Sequence, residues 1–275
     1  MSEPPLLVIE PGRAQKDYWR DLWRHRELLY FLVWRDVLVR YKQTTIGVAW
    51  AVLRPLVTMV IFTLVFGKLA RLPSGHAPYA IMVFAGLLPW QLFSAAFADM
   101  GGSIVGNSGL ISKVYFPRLV VPTSVLIVAL VDFLFASLIL IGLMLWYGYI
   151  PDWRVATLPL FILLGVGAVI GPGLWVASLM VKYRDFRYVL PFIVQVGMYI
   201  SPVGFSSSVI PERYRLLYSI NPMVGVIDGF RWALLRGDVG LNASGIALSA
   251  ILSGVLLILG LRFFRRSERT FVDLI

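Results

Sequence analysis

The stretch Leu28–Pro55, LLYFLVWRDVLVRYKQTTIGVAWAVLRP, joins a basic, aromatic, helix-periodic segment directly to an apolar run. On a helix, Trp34, Val37, Leu38 and Tyr41 follow the i, i+3, i+4, i+7 spacing of one apolar face, while Asp36, Arg40 and Gln43 fall on another. Taken alone, that period fits a soluble core helix with a solvated side as well as a helix lying along a membrane surface. The composition around it decides for the membrane. Of 275 residues, 59% are hydrophobic and only 15% charged, and the mean hydropathy is +0.79, values that do not arrange around one water-soluble core. At about 20 apolar residues per span, the chain holds six crossings with short loops and little besides.

Working outward, spans are expected at 46–70, 79–100, 119–146, 158–181, 188–205 and 243–264. Arg54 lies near enough to the start of the first to snorkel, and Pro89 should kink the second. After Gly101-Gly102 comes NSGLISKVYFPR, Asn107–Arg118, too polar to stay in lipid and long enough for a short helix. Glycines at Gly165, Gly167, Gly171 and Gly173 suggest close helix approach by the fourth span. Residues 206–242 mix short apolar stretches with Pro211, Pro222, Arg213, Arg215 and Arg231, which suits two short helices dipping into one leaflet. Counted over alternating sides of six spans, Lys and Arg number seventeen on the side of both termini and seven on the other. Positive residues favour the cytoplasm, so both termini are expected there. No apolar h-region occurs in the first 27 residues, so no cleavable signal peptide is expected.

The formal charge of +10 sits at span ends rather than in a basic domain, which argues against nucleic acid. There is no Cys, and His25 and His76 are isolated, so neither a metal site nor a catalytic set is expected. A phosphate loop is missing: Gly67-Lys68 has Phe62 where the upstream glycine belongs, so ATP would be hydrolysed by another chain. Asp132, in the third span, is either a structural hydrogen-bond acceptor or a transport carboxylate, and Asp99 lies near the end of the second. The sequon Asn242-Ala243-Ser244 is of a kind that arises by chance. Aromatic rings recur through the first, second and fifth spans at Trp50, Phe62, Phe66, Phe84, Trp90, Phe93, Phe97, Phe192, Tyr199 and Phe205. Lipid contact and helix packing explain any one of them; together they also fit a stacking platform for sugar rings along a pathway.

These elements carry a resemblance. WRD at Trp34 and VRYKQTTIGVAWAVLRPL up to Leu56, GLLPWQLFS at Gly86–Ser94, NSGLISKVYFPR, YRDF at Tyr183–Phe186 and INPMVGVIDGFRWALL at Ile220–Leu235 follow one another over almost the whole chain. In that order and spacing the chain resembles the membrane permease subunit of ABC-2 type exporters of polysaccharides and lipid-linked glycans, closer to the O-antigen type than to the capsule type. The resemblance implies an all-α integral membrane fold of six transmembrane helices in the bacterial cytoplasmic membrane. It implies a homodimer around a central pathway, with two copies of a separate ATPase that carries the ATP and Mg. It further implies an amphipathic interface helix over 16–45, a coupling helix over 107–117 and a re-entrant periplasmic segment over 206–236.

Residues expected to meet the ATPase are Ser112, Lys113, Val114, Tyr115, Phe116, Pro117, Tyr183, Arg184 and Asp185. The interface helix is expected to act through Trp34, Arg35, Arg40, Tyr41 and Lys42, the last four as contacts for headgroups or the ATPase. The pathway is expected to be lined by the rings named above. Rival readings are an ABC-2 exporter of a drug, peptide or small lipid, and a proton-driven secondary carrier. The carrier fits poorly with the single deep carboxylate and with a second half that does not repeat the first.

Overall fold

The computed structural model describes residues 18–42, 47–72, 75–238 and 240–271, with the backbone alone for 47–52. The side chain of Trp50, residues 16–17 and 43–45 of the expected interface helix, and the expected first residue of the first span therefore lie outside the described residues. All regular structure among the described residues is helical.

Two helices, α1 (Tyr18–Arg24) and α2 (Arg26–Lys42), precede α3 (Gly47–Phe62), which continues as a π-helical stretch over Thr63–Leu69. Then come α4 (Tyr79–Gly106), a single turn α5 (Ser108–Ile111), α6 (Val120–Trp146), α7 (Leu158–Lys182) and α8 (Phe186–Ile200). Two short helices, α9 (Glu212–Tyr218) and α10 (Pro222–Leu234), lead to α11 (Ala243–Ser267). Asn242 of the chance sequon caps α11 by accepting from the Gly245 N–H. Among the described residues, four helical segments are long and apolar enough to cross a membrane: Tyr79–Gly106, Val120–Trp146, Trp153–Lys182 and Ala243–Thr270. Phe186–Ile200 is a shorter apolar helix.

Helix α4 runs unbroken through Pro89 and past Gly101-Gly102 to Gly106, six residues beyond the expected end. The glycine is there for contact rather than termination. A Cβ on Gly101 would lie 2.6 Å from a methyl of Leu190 in α8, so packing overrides the low helix propensity of the pair. At 28 residues and about 1.5 Å per residue, α4 is about 42 Å long, more than the hydrocarbon needs.

The core is built around α4, against which α6, α7 and α10 pack, with α11 laid on α7. Gly173 of α7 faces Met100 and Gly171 faces Gly260 of α11. The close approach expected from the glycines occurs at that second crossing. A Cβ on Gly171 would fall 2.2 Å from the Leu256 carbonyl oxygen, and one on Gly260 2.4 Å from that of Gly171. Backbones meet directly there, as small residues allow in lipid. In this arrangement α4, α7 and α11 run the same way. One end of the bundle, here the basal end, gathers α1, the 107–119 loop, the α7–α8 turn and the end of α11. The distal end gathers residues 70–72, 75–78, 147–157, 201–238 and 240–242.

Candidate functional site

Helix α2 is seated by its polar side. Arg40 donates to Asp99 at 2.7 Å and to Asp132, and the Tyr41 hydroxyl also donates to Asp132. Arg35 Nη2 donates to Asn107 Oδ1 at 3.0 Å and pairs with Asp36. Only Leu32 of this helix is buried, while Tyr30, Phe31, Trp34 and Leu38 face outward, and Tyr30 stacks on Trp34 at 6.5 Å. This inside-out pattern is expected of a helix whose outer surroundings are apolar. Partners on α4 and α6 draw Arg40 and Tyr41 toward the bundle, while the side chains of Arg35 and Arg40 keep 40% and 37% of their surface exposed. Lys42 stays exposed. Of the two readings of Asp132, the structural acceptor is the one the geometry meets. Beneath α2 a cavity of about 590 Å³ is lined by Asp36, Val39, Arg40, Asp99, Gly102 and Asn107 among others.

At the basal end, the helix expected over 107–117 is one turn, Ser108–Ile111, followed by turns. Pro117 disfavours helical backbone at Phe116, so the loop does not run on as helix into α6. Ser112, Lys113, Val114 and Tyr115 are exposed, but Phe116 and Pro117 are buried. These two therefore anchor the loop from within and are not outer contacts. Next to them, the Arg118 N–H donates to Glu268 Oε1 at 2.6 Å, and Arg118 Nη1 to the Glu268 carbonyl at 3.1 Å. The Tyr18 hydroxyl donates to Glu268 Oε2 at 3.0 Å, and the Arg265 guanidinium lies 4.6 Å from the Tyr18 ring centre. Burial, and then the Glu268 carboxylate, push the Tyr18 hydroxyl pKa up, so it remains a donor. Tyr183, Arg184 and Asp185 form an exposed turn at the same end. Glu268 was not singled out from the sequence, because a lone acid after a basic cluster reads as a solvated surface.

The aromatic residues divide. Phe84 has no exposed surface, and Trp90 and Phe97 retain 4% each. A ring wholly inside its own protomer offers no face to a passing molecule, so the expectation of a pathway wall is corrected for these three. They pack: Trp90, Phe93 and Phe97 form a ladder with centroids 5.4 and 5.6 Å apart, and the tip of Trp90 fills the space beside Gly197 of α8. Phe93, Phe62 and Phe66 are half-buried. Phe62 and Phe66 meet edge-on at 5.4 Å and close on Gly204. Phe192 and Tyr199 are 65% and 66% exposed. They belong to a stripe that sequence reading missed, Tyr188, Phe192, Gln195 and Tyr199, all exposed at i, i+4, i+7, i+11. The spacing was the available signal. Gln195 is its telling member, since an amide carried toward hydrocarbon lacks partners.

At the distal end Arg231 is fully buried. Its Nε donates to the Met82 carbonyl at 3.1 Å, Nη1 to that of Phe205 at 2.6 Å and Nη2 to that of Val203 at 2.7 Å. One guanidinium thereby ties α10 to α4 and to the turn after α8. Gly86 makes room for it, because a Cβ there would lie 2.6 Å from Nη2. Asp228, one turn earlier on α10, is also buried and provides the opposite charge nearby.

Set beside known proteins, the sequence profile of the ABC-2 type transporter family matches residues 27–235. The chain is similar to the O-antigen export system permease protein RfbA of Myxococcus xanthus, 28% identical over 214 residues, 77% of this chain and 82% of that one. It is 26% identical over 256 residues to the RfbA permease of Klebsiella pneumoniae, covering 90% of this chain and 95% of that protein. To the polysialic acid transport protein KpsM of Escherichia coli it is 26% identical over 243 residues, 85% and 91% of the two chains. An all-helical bundle with several apolar helices long enough to cross a membrane, matched by one profile over most of its length, belongs to the ABC-2 type transporter membrane family.

Proposed function

We propose that this chain is the permease subunit of an ATP-driven exporter that moves a polysaccharide, or a lipid-linked glycan of the O-antigen type, from cytoplasm to periplasm. Its relatives among O-antigen and polysialic acid permeases support the substrate class. Two protomers, each crossing the inner membrane six times with both termini cytoplasmic, enclose the path. Gly47–Leu69 and Phe186–Ile200 supply the crossings that supplement the four long segments. Two copies of a separate ATPase, which hold ATP and its Mg, dock at the basal end on residues 112–115 and on the 183–185 turn. Helices α9 and α10 are the re-entrant elements near the exit.

The observation that carries the glycan reading is the uncovered stripe of α8. Three rings and one amide on a single helix face match what a sugar chain offers, apolar C–H faces between hydroxyls. Phe62, Phe66 and Phe93 edge the same path, while Phe84, Trp90 and Phe97 support it from behind. A proton-driven carrier is disfavoured because Asp132 is taken up by Arg40 and Tyr41. The test is surface glycan in cells in which this permease and its ATPase are the only export route. The double variant Phe192→Ala/Tyr199→Ala should assemble normally and display little glycan; unchanged display overturns the reading.

A further inference from the structure

The 107–119 loop is held at both ends by polar contacts, and the two clamps lead to different helices. At its start Asn107 accepts from Arg35 of α2 and donates to the Ser103 carbonyl at 2.9 Å. At its end Arg118 is bound twice to Glu268, by its backbone N–H and by its guanidinium. The second oxygen of the same carboxylate accepts from Tyr18 of α1. Glu268 is 8% exposed and follows directly on α11, and Phe271 behind it packs edge-on against Phe264 at 5.4 Å. Between the clamps the loop has one helical turn and an exposed segment, 112–115. A push on such a segment bends the loop unless its ends are fixed.

We infer that Glu268 is a positioning residue for coupling: its carboxylate fastens the end of the 107–119 loop to the last span and to α1, so that displacement of residues 112–115 moves these helices together. The inference rests on the reading that 112–115 receives the ATPase. Its contacts suit that task better than bare stability, because they join three chain segments far apart in sequence at the point where the exposed loop ends. The hydrogen bonds are charge-assisted and largely shielded from water, which makes them stiff.

The test uses the permease reconstituted with its ATPase and a lipid-linked glycan, reading ATP hydrolysis and glycan exported per ATP. Glu268→Ala should assemble and hydrolyse ATP but lose at least about tenfold in glycan per ATP, the scale of one hydrogen bond to a charged group. Glu268→Gln keeps an oxygen for the Arg118 N–H and an amide for the Tyr18 oxygen, and should recover to within about twofold. Wild-type export per ATP in Glu268→Ala overturns the inference, as does an equal deficit in Glu268→Gln. If Glu268→Ala is not recovered, Tyr18→Phe carries the test, with a loss of about threefold that Glu268→Gln does not share; equal values overturn it. Val114→Ala/Tyr115→Ala is run alongside. If that variant hydrolyses and exports as wild type, the docking reading itself fails, whatever Glu268 does.

Discussion

Helices α4 and α8 are both apolar, both contain a proline and both carry aromatic rings, yet eighteen of the 28 residues of α4 are buried and only Leu190 of the fifteen in α8. Small residues distinguish them. Gly86 and Gly101 let Arg231 and Leu190 come against α4, and Ala80, Ala85 and Ala96 are buried along it as well. Helix α8 touches the bundle through Phe186, Leu190, Val194, Gly197 and Met198 and leaves a ring-bearing stripe uncovered. In lipid, apolarity does not separate core from wall, because the solvent is as apolar as the core. Packing against small residues marks the rigid part, and the proposed path runs where an exposed amide stands among rings.

The sharpest way to break this division is to disturb the rigid part where backbones touch. Gly171→Val forces carbons into the Leu256 backbone, 2.2 Å from its carbonyl oxygen, with no flexible side chain to give way. The cost should exceed about 3 kcal/mol, and no monodisperse protein should be recovered in detergent. Arg231→Met comes next. It strips the donor from three carbonyls, so the apparent stability in a detergent melt should fall by about 3 kcal/mol or more. A normal melt for Gly171→Val would mean that the α7–α11 crossing is not rigid, and one for Arg231→Met that the α4 cluster is not.

A paired comparison then sets one helix against the other. Trp90→Ala removes a ring that is 4% exposed and opens a void beside Gly197, at a cost of about 3 to 5 kcal/mol. Phe192→Ala removes one that is 65% exposed and should change stability by less than about 0.5 kcal/mol while lowering export. The two rings belong to one aromatic set in the sequence and should fail in opposite assays, the first in a thermal melt and the second in surface glycan.

Much of this was readable from the chain. The helix period of Trp34–Tyr41, the polar break at Asn107–Arg118 and the glycines of α7 each correspond to a structural element, since period, polarity and small size act locally. What was not readable depends on who faces whom. Arg40 reads as a surface cation until Asp99 and Asp132, 59 and 92 residues away, take up its guanidinium. Glu268 is unremarkable until Arg118, 150 residues earlier, is beside it. Phe84 and Phe192 look alike as letters, and only the neighbours at each position tell a packed ring from an open one.

The smallest expected effect belongs to Gln195, and it sharpens the comparison most finely because its sign separates the surroundings α8 could have. Gln195 is exposed on the same stripe as Tyr188, Phe192 and Tyr199. If that stripe faced lipid, the amide would lack hydrogen-bond partners, and Gln195→Leu would raise stability by about 1 to 3 kcal/mol and leave export alone. Facing a wetted glycan path, the amide is solvated, so the same change should leave stability within about 0.5 kcal/mol and remove one polar contact to the moving chain. The expected loss of export is then about two- to fivefold, the worth of a single neutral hydrogen bond. Melting temperature and surface glycan measured on one variant distinguish the cases, and a more stable protein with full export would place α8 against the bilayer and end the contrast with α4.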